Sequence, residues 1–155
     1  MRSLNGICGL CLLVVLAAPL GCNSSGVPLA KVKGRITYQG QPVANASISF
    51  IPEQLGVIPA LGKTDSDGNY QLSTYGVTDG APVGSCRVAI SLTGPSPPLP
   101  EHLAQAEAAA ETLRMPGKPL IPKKYFSPDT SGLQVEVKSG TANVFDFTLE
   151  GSLKP

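Results

Sequence analysis

The chain has 155 residues, a formal net charge of +1 and 15% charged side chains, which is the length of one ordinary domain. Its near-neutral balance supplies no basic surface, and we therefore expect no nucleic-acid partner. Hydrophobic residues make up 42% of the chain, and its 17 Gly and 15 Pro residues favour short strands and many turns over long helices.

The first predicted element is a secretory leader over residues 1–21. Residues 7–20 read ICGLCLLVVLAAPL, apolar or small throughout, and Arg2 is the only charge before Lys31. In helical geometry this run covers about 21 Å, less than the roughly 30 Å of a bilayer's hydrocarbon core. The run is therefore predicted to be the core of a signal peptide and not a membrane span.

The end of this leader resembles the lipobox of bacterial lipoproteins, where a small residue precedes a Cys that receives diacylglycerol. Gly21 and Cys22 match the pattern, while Pro19 stands where lipoboxes usually carry Leu. The resemblance implies a lipid anchor at Cys22, with residues 22–30 as a tether to a membrane of the cell envelope. Asn23 follows the Cys where Asp signals inner-membrane retention in some Gram-negative bacteria, which hints at the outer membrane. Ordinary secretion with an incidental Cys22 is the alternative.

Cysteine usage follows from this leader. Cys8 and Cys11 leave with it and Cys22 carries the lipid, so Cys86 has no partner for an intramolecular disulfide. Cys86 lies on the apolar side of an alternating run and is predicted to be a buried small hydrophobe, not a nucleophile.

Seven strands are predicted from alternating apolar residues. Four of them cover residues 31–38, 46–51, 60–64 and 70–72. The remaining three cover residues 86–92, 133–138 and 144–149. The turn residues Ser139 and Gly140 are expected to join the last two strands as a hairpin.

An insertion separates the fifth and sixth predicted strands. Residues 94–100 are rich in Pro and are predicted to form an extended linker. Residues 101–115 are rich in Ala, Glu, Gln and Leu and are predicted to form a helix. Residues 119–128 are predicted to form a second extended stretch.

Several segments together resemble carboxypeptidase regulatory-like domains, which are small transthyretin-like β-sandwiches. The matching segments are GRITY at 34–38, GQPVANASISF at 40–50, TDSDGNYQL at 64–72 and GSCRVAI at 84–90. Asn45 stands where the family prefers Gly, and Asn also tolerates positive φ. Cys86 replaces the usual Tyr.

The resemblance implies an all-β fold, namely a seven-stranded Greek-key β-sandwich of the transthyretin (prealbumin) type over residues 31–150. The helical, Pro-rich insertion would lie near 94–124, and residues 151–155 would form a tail. A narrower resemblance, carried by IPKKYFSPDTSGL at 121–133 and by Phe-Asp-Phe at 145–147, is to small lipoproteins abundant in planctomycete-type bacteria. These families imply export and no established activity.

The stretch TDSDGNY offers Asp65, Asp67 and Asn69 as candidate metal ligands. Counted from Asp65, Gly68 comes two positions too early for the Gly of an EF-hand, and Gly76 stands where the bidentate Glu belongs. A turn is therefore predicted, in which the two aspartates cap backbone N–H groups and Gly68 supplies positive φ. A surface calcium site is the alternative, and no cofactor is expected.

We expect no enzymatic activity. His102 is the only His, whereas the hydrolases and iron dioxygenases with related sandwich folds need several, and it is predicted to be a solvated helix residue. An isopeptide bond from Lys31 or Lys33 to Asn143 would need a buried carboxyl, and residues 70–73 and 84–93 contain none.

Tyr125 and Phe126 lie in a Pro-flanked segment and are candidates for a binding contact or for an aromatic anchor that pins the segment to the sandwich. The expected function is that of an exported, lipid-anchored, non-catalytic β-sandwich with a structural or partner-binding role in the cell envelope. The alternative is a carbohydrate- or peptide-binding accessory module, which would need an exposed aromatic platform. Expected partners are a membrane, reached through Cys22, and an envelope protein or a glycan.

Overall fold

The computed structural model describes residues 27–98, 115 and 117–153. The predicted leader, Cys22, His102 and all but the last residue of the predicted helix over 101–115 lie outside the described residues. Within the described ranges, no helix has the length and apolar character needed to span a bilayer. The regular elements of the described residues are short strands and one 3₁₀ helix, so the all-β prediction is confirmed.

The strands are numbered in chain order. They are β1 Leu29–Ala30, β2 Val32–Tyr38, β3 Gln41–Pro42, β4 Ser47–Pro52, β5 Ala60–Lys63, β6 Asn69–Gln71, β7 Ala81–Pro82, β8 Gly84–Ser91, β9 Gln134–Val137, β10 Asn143–Val144 and β11 Phe147–Leu149. A 3₁₀ helix covers Lys123–Phe126. The strand β1 takes the last two residues of the predicted tether into the fold.

Two main sheets contain most of these strands, an arrangement consistent with a β-sandwich. One sheet has the order β5-β4-β8-β9 and is antiparallel throughout. The other is centred on β2, with β3 and β6 antiparallel along one edge and β10 and β11 parallel along the other. The strand β1 forms a small antiparallel ladder with β7.

The core lies between these two sheets and is centred on Phe50, which is fully buried on β4. Its ring centroid lies 6.5 Å from that of Tyr70, 5.9 Å from that of Phe145 and 6.3 Å from that of Phe147, all three from the β2 sheet or its edge. Such tilted aromatic contacts are favourable and hold the sheets face to face. Cys86 is also fully buried, as predicted, and burial raises the pKa of its thiol to about 11.

The predicted hairpin between the last two strands is wrong. The strand β9 pairs with β8 in one sheet, whereas β10 and β11 pair with β2 in the other, so residues 138–142 cross between the sheets. Asn143 holds this crossing, because its Nδ2 donates to the carbonyls of Lys31, Lys138 and Thr141 and its Oδ1 accepts the Lys138 N–H. Alternation identifies the buried face of a strand but not its partner.

Residues 119–128 differ from the predicted extended stretch. They contain the 3₁₀ helix, and the chain re-enters the fold beside the end of β8, where the Leu120 N–H donates to the Leu92 carbonyl at 2.9 Å. Thr93 also forms an isolated antiparallel bridge with Pro119. The residues that flank the insertion are thus held together at one end of the sheet.

Positive φ occurs at the turns that the sequence marks. Gln39 and Gly40 have φ of 51° and 77° and connect β2 to β3 in the manner of a type I′ hairpin. Asn45 has φ of 60°, a positive value that Asn tolerates better than most residues other than Gly.

At Gly34, a side chain from β6 crosses β2 and reaches the segment between β10 and β11. Tyr70 on β6 pairs with Gly34, and its side chain crosses β2 there to donate its hydroxyl to the Phe145 carbonyl at 2.7 Å. A Cβ built on Gly34 would lie 1.8 Å from that carbonyl oxygen and 2.9 Å from the Tyr70 hydroxyl. Only Gly leaves room for the crossing.

Asp146 restores the hydrogen bond that this crossing removes from the parallel ladder. The Phe145 N–H donates to the Lys33 carbonyl, after which an ordinary parallel ladder would have the Arg35 N–H donate to the Phe145 carbonyl. Here the Arg35 N–H donates instead to the Asp146 carboxylate at 2.8 Å. Asn143 pairs with Val32 and Phe147 pairs with Ile36, which is the same difference in residue number. The interruption between β10 and β11 is therefore not a bulge with an extra residue.

We expect Gly34→Ala to destabilise the domain by about 3 kcal/mol, because the added methyl must displace the Phe145 carbonyl and break its bond to Tyr70. Urea unfolding of the chain without residues 1–21 measures this change. The matched control is Gly76→Ala, whose added methyl would come no closer than 3.7 Å to a neighbour and should change stability by no more than about 0.5 kcal/mol. Equal losses in both variants would contradict the crossing's role.

Candidate functional site

The turn TDSDGNY is organised by Asp65. Its Oδ1 accepts the backbone N–H groups of Asp67 and Asn69, each at 2.9 Å, and its own N–H donates to the Asn69 carbonyl. Gly68 has φ of 78°, and a Cβ there would lie 2.6 Å from the Ile36 carbonyl oxygen, so the predicted turn with positive φ at Gly68 is confirmed. Asp67 differs from the prediction, because it takes part through its backbone N–H and carbonyl.

This turn carries the chain from β5 in one sheet to β6 in the other. Buried Thr64 fixes its start, since its Oγ1 accepts the Ala46 N–H at 2.8 Å and its own N–H donates to the Ala46 carbonyl. The backbone N–H of Asn69 is the main cause that lowers the pKa of Asp65, with the Asn69 amide, the Asp67 N–H and Arg35 adding to it. The carboxylate is thus held ionised by the turn that it closes.

The N–H groups that donate to the Asp65 carboxylate bear on the hypothesis that this turn binds a metal ion. Both carboxylate oxygens face N–H groups of the turn, Oδ2 through the Asn69 amide at 3.3 Å. Within residues 27–98, 115 and 117–153, no three His, Cys, Asp or Glu side chains come together as a metal-binding cluster. A cation at Asp65, Asp67 and Asn69 remains a prediction, and it would have to compete with the N–H donors.

A polar groove of about 710 Å³ runs beside this turn along β2 and β6. Its charged lining residues are Lys33, Arg35, Lys63, Asp65 and Asp146. The two carboxylates accept backbone N–H groups, and the lining presents three cationic side chains beside these two anionic ones. This lining suits an acidic or hydrogen-bonding partner surface.

The Tyr70 hydroxyl also borders the polar groove. Burial, with a further contribution from the Asp146 charge, raises the phenol pKa well above its usual range. The hydroxyl is already a donor to the Phe145 carbonyl. It therefore serves as a structural hydrogen-bond donor and is not suited to act as a base near neutral pH.

Tyr125 and Phe126 lie in the 3₁₀ helix, and the structure treats them differently. Tyr125 is 4% exposed, and its hydroxyl accepts the Glu150 N–H at 2.9 Å and contacts the Glu150 carbonyl at 3.2 Å. Tyr125 thus ties the chain after the insertion to the end of β11. Phe126 is half-buried and borders a small cavity with Leu61 and Ser91, so it keeps one accessible edge. A binding role for this pair remains a prediction.

The sequence reasoning missed Asp79, which organises the loop between β6 and β7. Its carboxylate accepts the backbone N–H groups of Thr74, Tyr75 and Gly76 at 2.7, 2.9 and 2.7 Å. These bonds, that from Thr74 first, lower the pKa of Asp79. An Asp a few residues after a run of small and polar residues is the available signal, since Asp readily accepts from nearby backbone groups.

The loop closed by Asp79 presents Tyr75 and Val77 to solvent, 65% and 91% exposed. All four Tyr and four Phe residues of the chain lie in its described part, and Tyr75 is the one that is mostly exposed. The described surface therefore has no platform made of two or more exposed aromatic rings.

Comparison with known proteins adds little. No protein-family profile matches the chain, and no curated protein is similar to it in sequence. Among solved structures, a 9R-lipoxygenase from Cyanothece PCC8801 aligns with a TM-score of 0.36 and 10% identity, over 77% of this chain and 16% of that chain. At that TM-score the likeness carries no argument about fold or function.

We expect the domain to lose stability in acid as Asp65 and Asp79 are protonated. Because their pKa values are lowered in the folded state, their stabilisation is complete above the unfolded value of about 3.9 and is lost as the pH falls through the folded value. Asp65→Asn should flatten the fall in urea midpoint below about pH 5. Asp67→Asn is the control, since it removes a neighbouring charge and keeps the bonds to Asp65. An unchanged acid slope in Asp65→Asn would refute this role.

We expect the melting temperature to be the same with millimolar calcium and with a chelator. The reason is that N–H donors already occupy the oxygens of Asp65 that a cation would need. Differential scanning fluorimetry of the chain without residues 1–21 makes the measurement. A calcium-dependent rise that Asp65→Asn abolishes would establish the metal site instead.

Proposed function

We propose that this chain is an exported, lipid-anchored, non-catalytic β-sandwich with a partner-binding role in the cell envelope. The observation that carries the proposal is how close in sequence a paired strand lies to Cys22. The Pro28 carbonyl accepts the Val83 N–H, and β1 pairs with β7 directly after it. Leu29, the first residue of β1, follows Cys22 by seven positions, a short spacing that suits a domain tethered at Cys22.

We also propose that the fold is the Greek-key, transthyretin-like sandwich of carboxypeptidase regulatory-like domains, in the form resembling planctomycete-type lipoproteins. Two observations support it. The turn that opens with Thr64 has positive φ at Gly68 and joins the two sheets, and Asn45 has positive φ at the family's Gly position. Both are features of backbone conformation that the resembling motifs require.

A non-catalytic role is supported by the burial and the structural hydrogen bonds of several potentially reactive side chains in the described chain. The Cys86 thiol is buried, and the Asp65 and Asp79 carboxylates hold backbone N–H groups of their loops. The Tyr70 hydroxyl is engaged with a carbonyl. Each of these groups has a structural task that explains its environment.

A protein partner fits the surface better than a glycan does. Carbohydrate modules stack sugar rings on exposed aromatic side chains, and here Tyr75 is the single mostly exposed aromatic. The polar groove instead offers Lys33, Arg35 and Lys63 beside Asp65 and Asp146, a mixed set of charges that suits a polar segment of an envelope protein. Specific signals on a glycan array would favour the accessory-module alternative.

The anchor is tested by growing cells that express the chain in labelled palmitate. We expect the purified protein to carry the label and Cys22→Ala to lose it completely, because the acceptor sulfur is gone. The matched control is Cys11→Ala, which alters another Cys of the N-terminal region and should leave the label unchanged. Label that survives the Cys22→Ala change would refute the anchor.

A further inference from the structure

The strand registers place several loops at the same end of the molecule as β1, which we call the tether end. In one sheet, Pro52 pairs with Cys86 and Gly84 pairs with Val137, so the chain after β4 and the chain after β9 both leave at this end. In the other sheet, Gln71 pairs with Lys33 near the start of β2. The tether end is therefore formed by β1 and by the loops 53–59, 72–80 and 138–142.

Two of these loops carry exposed apolar side chains. In the loop 53–59, Leu55 is 96% exposed and Ile58 is 50% exposed. In the loop 72–80, Tyr75 and Val77 project in the same way. These two loops thus place four large, exposed apolar side chains at the same end of the domain, where burial against an apolar partner would remove them from water.

The loop 72–80 is held firmly enough to present its tip in a defined position. Asp79 binds three successive N–H groups, and the Thr74 hydroxyl donates to the Gly80 carbonyl at 2.8 Å. The Thr78 carbonyl accepts from the Lys31 ammonium, which ties the loop to the chain just after β1. An ordered apolar tip loses little conformational entropy when it is buried.

The proposed lipid at Cys22 makes the bilayer the expected partner. Seven residues, from Cys22 to Leu29, span at most about 25 Å in any conformation, so an anchor at Cys22 keeps the tether end near the bilayer surface. The strand β8 covers Gly84–Ser91 and is about 26 Å long, which separates the far end by a similar distance. The other exposed large apolar residues of the described chain lie outside these two loops, with Leu120 at the far end beyond Leu92; they are Leu61, Met115, Leu120, Val144 and Leu153.

Charge at the tether end is balanced. Its three lysines, Lys31, Lys33 and Lys138, are offset by the carboxylates of Glu53, Asp79 and Glu136. Attraction to anionic headgroups is therefore small, and the expected contact is apolar. Neutral lipid should suffice for it.

We propose that the tips of the loops 53–59 and 72–80 insert into the interface of the bilayer to which Cys22 is anchored. Tyr75 lies at the headgroup level, where aromatic side chains with one polar end are favoured, and Val77 and Leu55 enter beside it. The strands then stand upright on the membrane, with the far end directed away from it. This inference rests on the proposed lipid anchor and adds an orientation and a second contact.

The chain has no Trp, so a single introduced Trp reports on its own surroundings. The experiment uses the full-length acylated protein as Tyr75→Trp or, as the matched variant at the far end, Leu120→Trp. Each is reconstituted into neutral phosphatidylcholine vesicles whose acyl chains are brominated near the headgroup. Flotation with the vesicles and protein mass report the anchor, and Trp quenching reports insertion.

We expect both proteins to float, with at least fivefold stronger quenching of the Trp at 75 than of the Trp at 120. Adding Val77→Asp to Tyr75→Trp should reduce quenching several-fold and leave flotation unchanged, since Val77 is exposed and its loss does not disturb the fold. Flotation with no quenching at 75, equal quenching at 75 and 120, or quenching that survives Val77→Asp would overturn the inference. A purified protein whose mass shows no lipid at Cys22 would overturn the anchor itself, and the orientation with it.

Discussion

The hydrogen bond from the Tyr70 hydroxyl to the Phe145 carbonyl across Gly34 is the contact on which the rest of the domain depends. It joins β6, β2 and the last strand segment through one side chain. The ring of Tyr70 also stacks near Phe147 at 6.4 Å, while Phe50 from the opposite sheet packs against the same group. A buried carbonyl that lost this donor would be costly, so the contact fixes the facing of the two sheets.

This contact also determines where one charged side chain of the polar groove lies. Because the Phe145 carbonyl is taken by Tyr70, the Arg35 N–H turns to the Asp146 carboxylate, which places that charge at the wall of the groove. The Arg35 guanidinium in turn donates to the Asp67 carbonyl at 2.9 Å and ties the TDSDGNY turn to β2. The charges that line the polar groove are thus placed there by the crossing of Tyr70 over Gly34.

Alternation in the sequence predicted which residues face the core, because a strand has a period of two and one face of each sheet is buried. It could not predict that β9 pairs with β8 while β10 joins β2, since partner choice depends on contacts between distant segments. The positive φ of Gly68 and Asn45 was predictable from residue type. The role of Gly34 was not, because the reason for that Gly is a carbonyl more than a hundred residues away.

The residues of the candidate site also divide into those whose role the sequence could predict and those whose role it could not. Asp65 was predictable as a cap because its donors lie within four residues, and Asp79 has the same local character. The exposed tips of the loops 53–59 and 72–80 were not, since exposure at a loop tip is set by where the sheets end.

The division of the molecule into a tether end and a far end follows from strand polarity and chain order. A lipid anchor at Cys22 would hold the domain at high effective concentration next to the bilayer, so a second contact there need not be strong enough to bind on its own. A few apolar side chains on ordered loops are enough for such a contact, whereas an unanchored protein would need a larger apolar surface. In the proposed orientation the far end, which includes the bridge between Thr93 and Pro119, would be directed away from the bilayer.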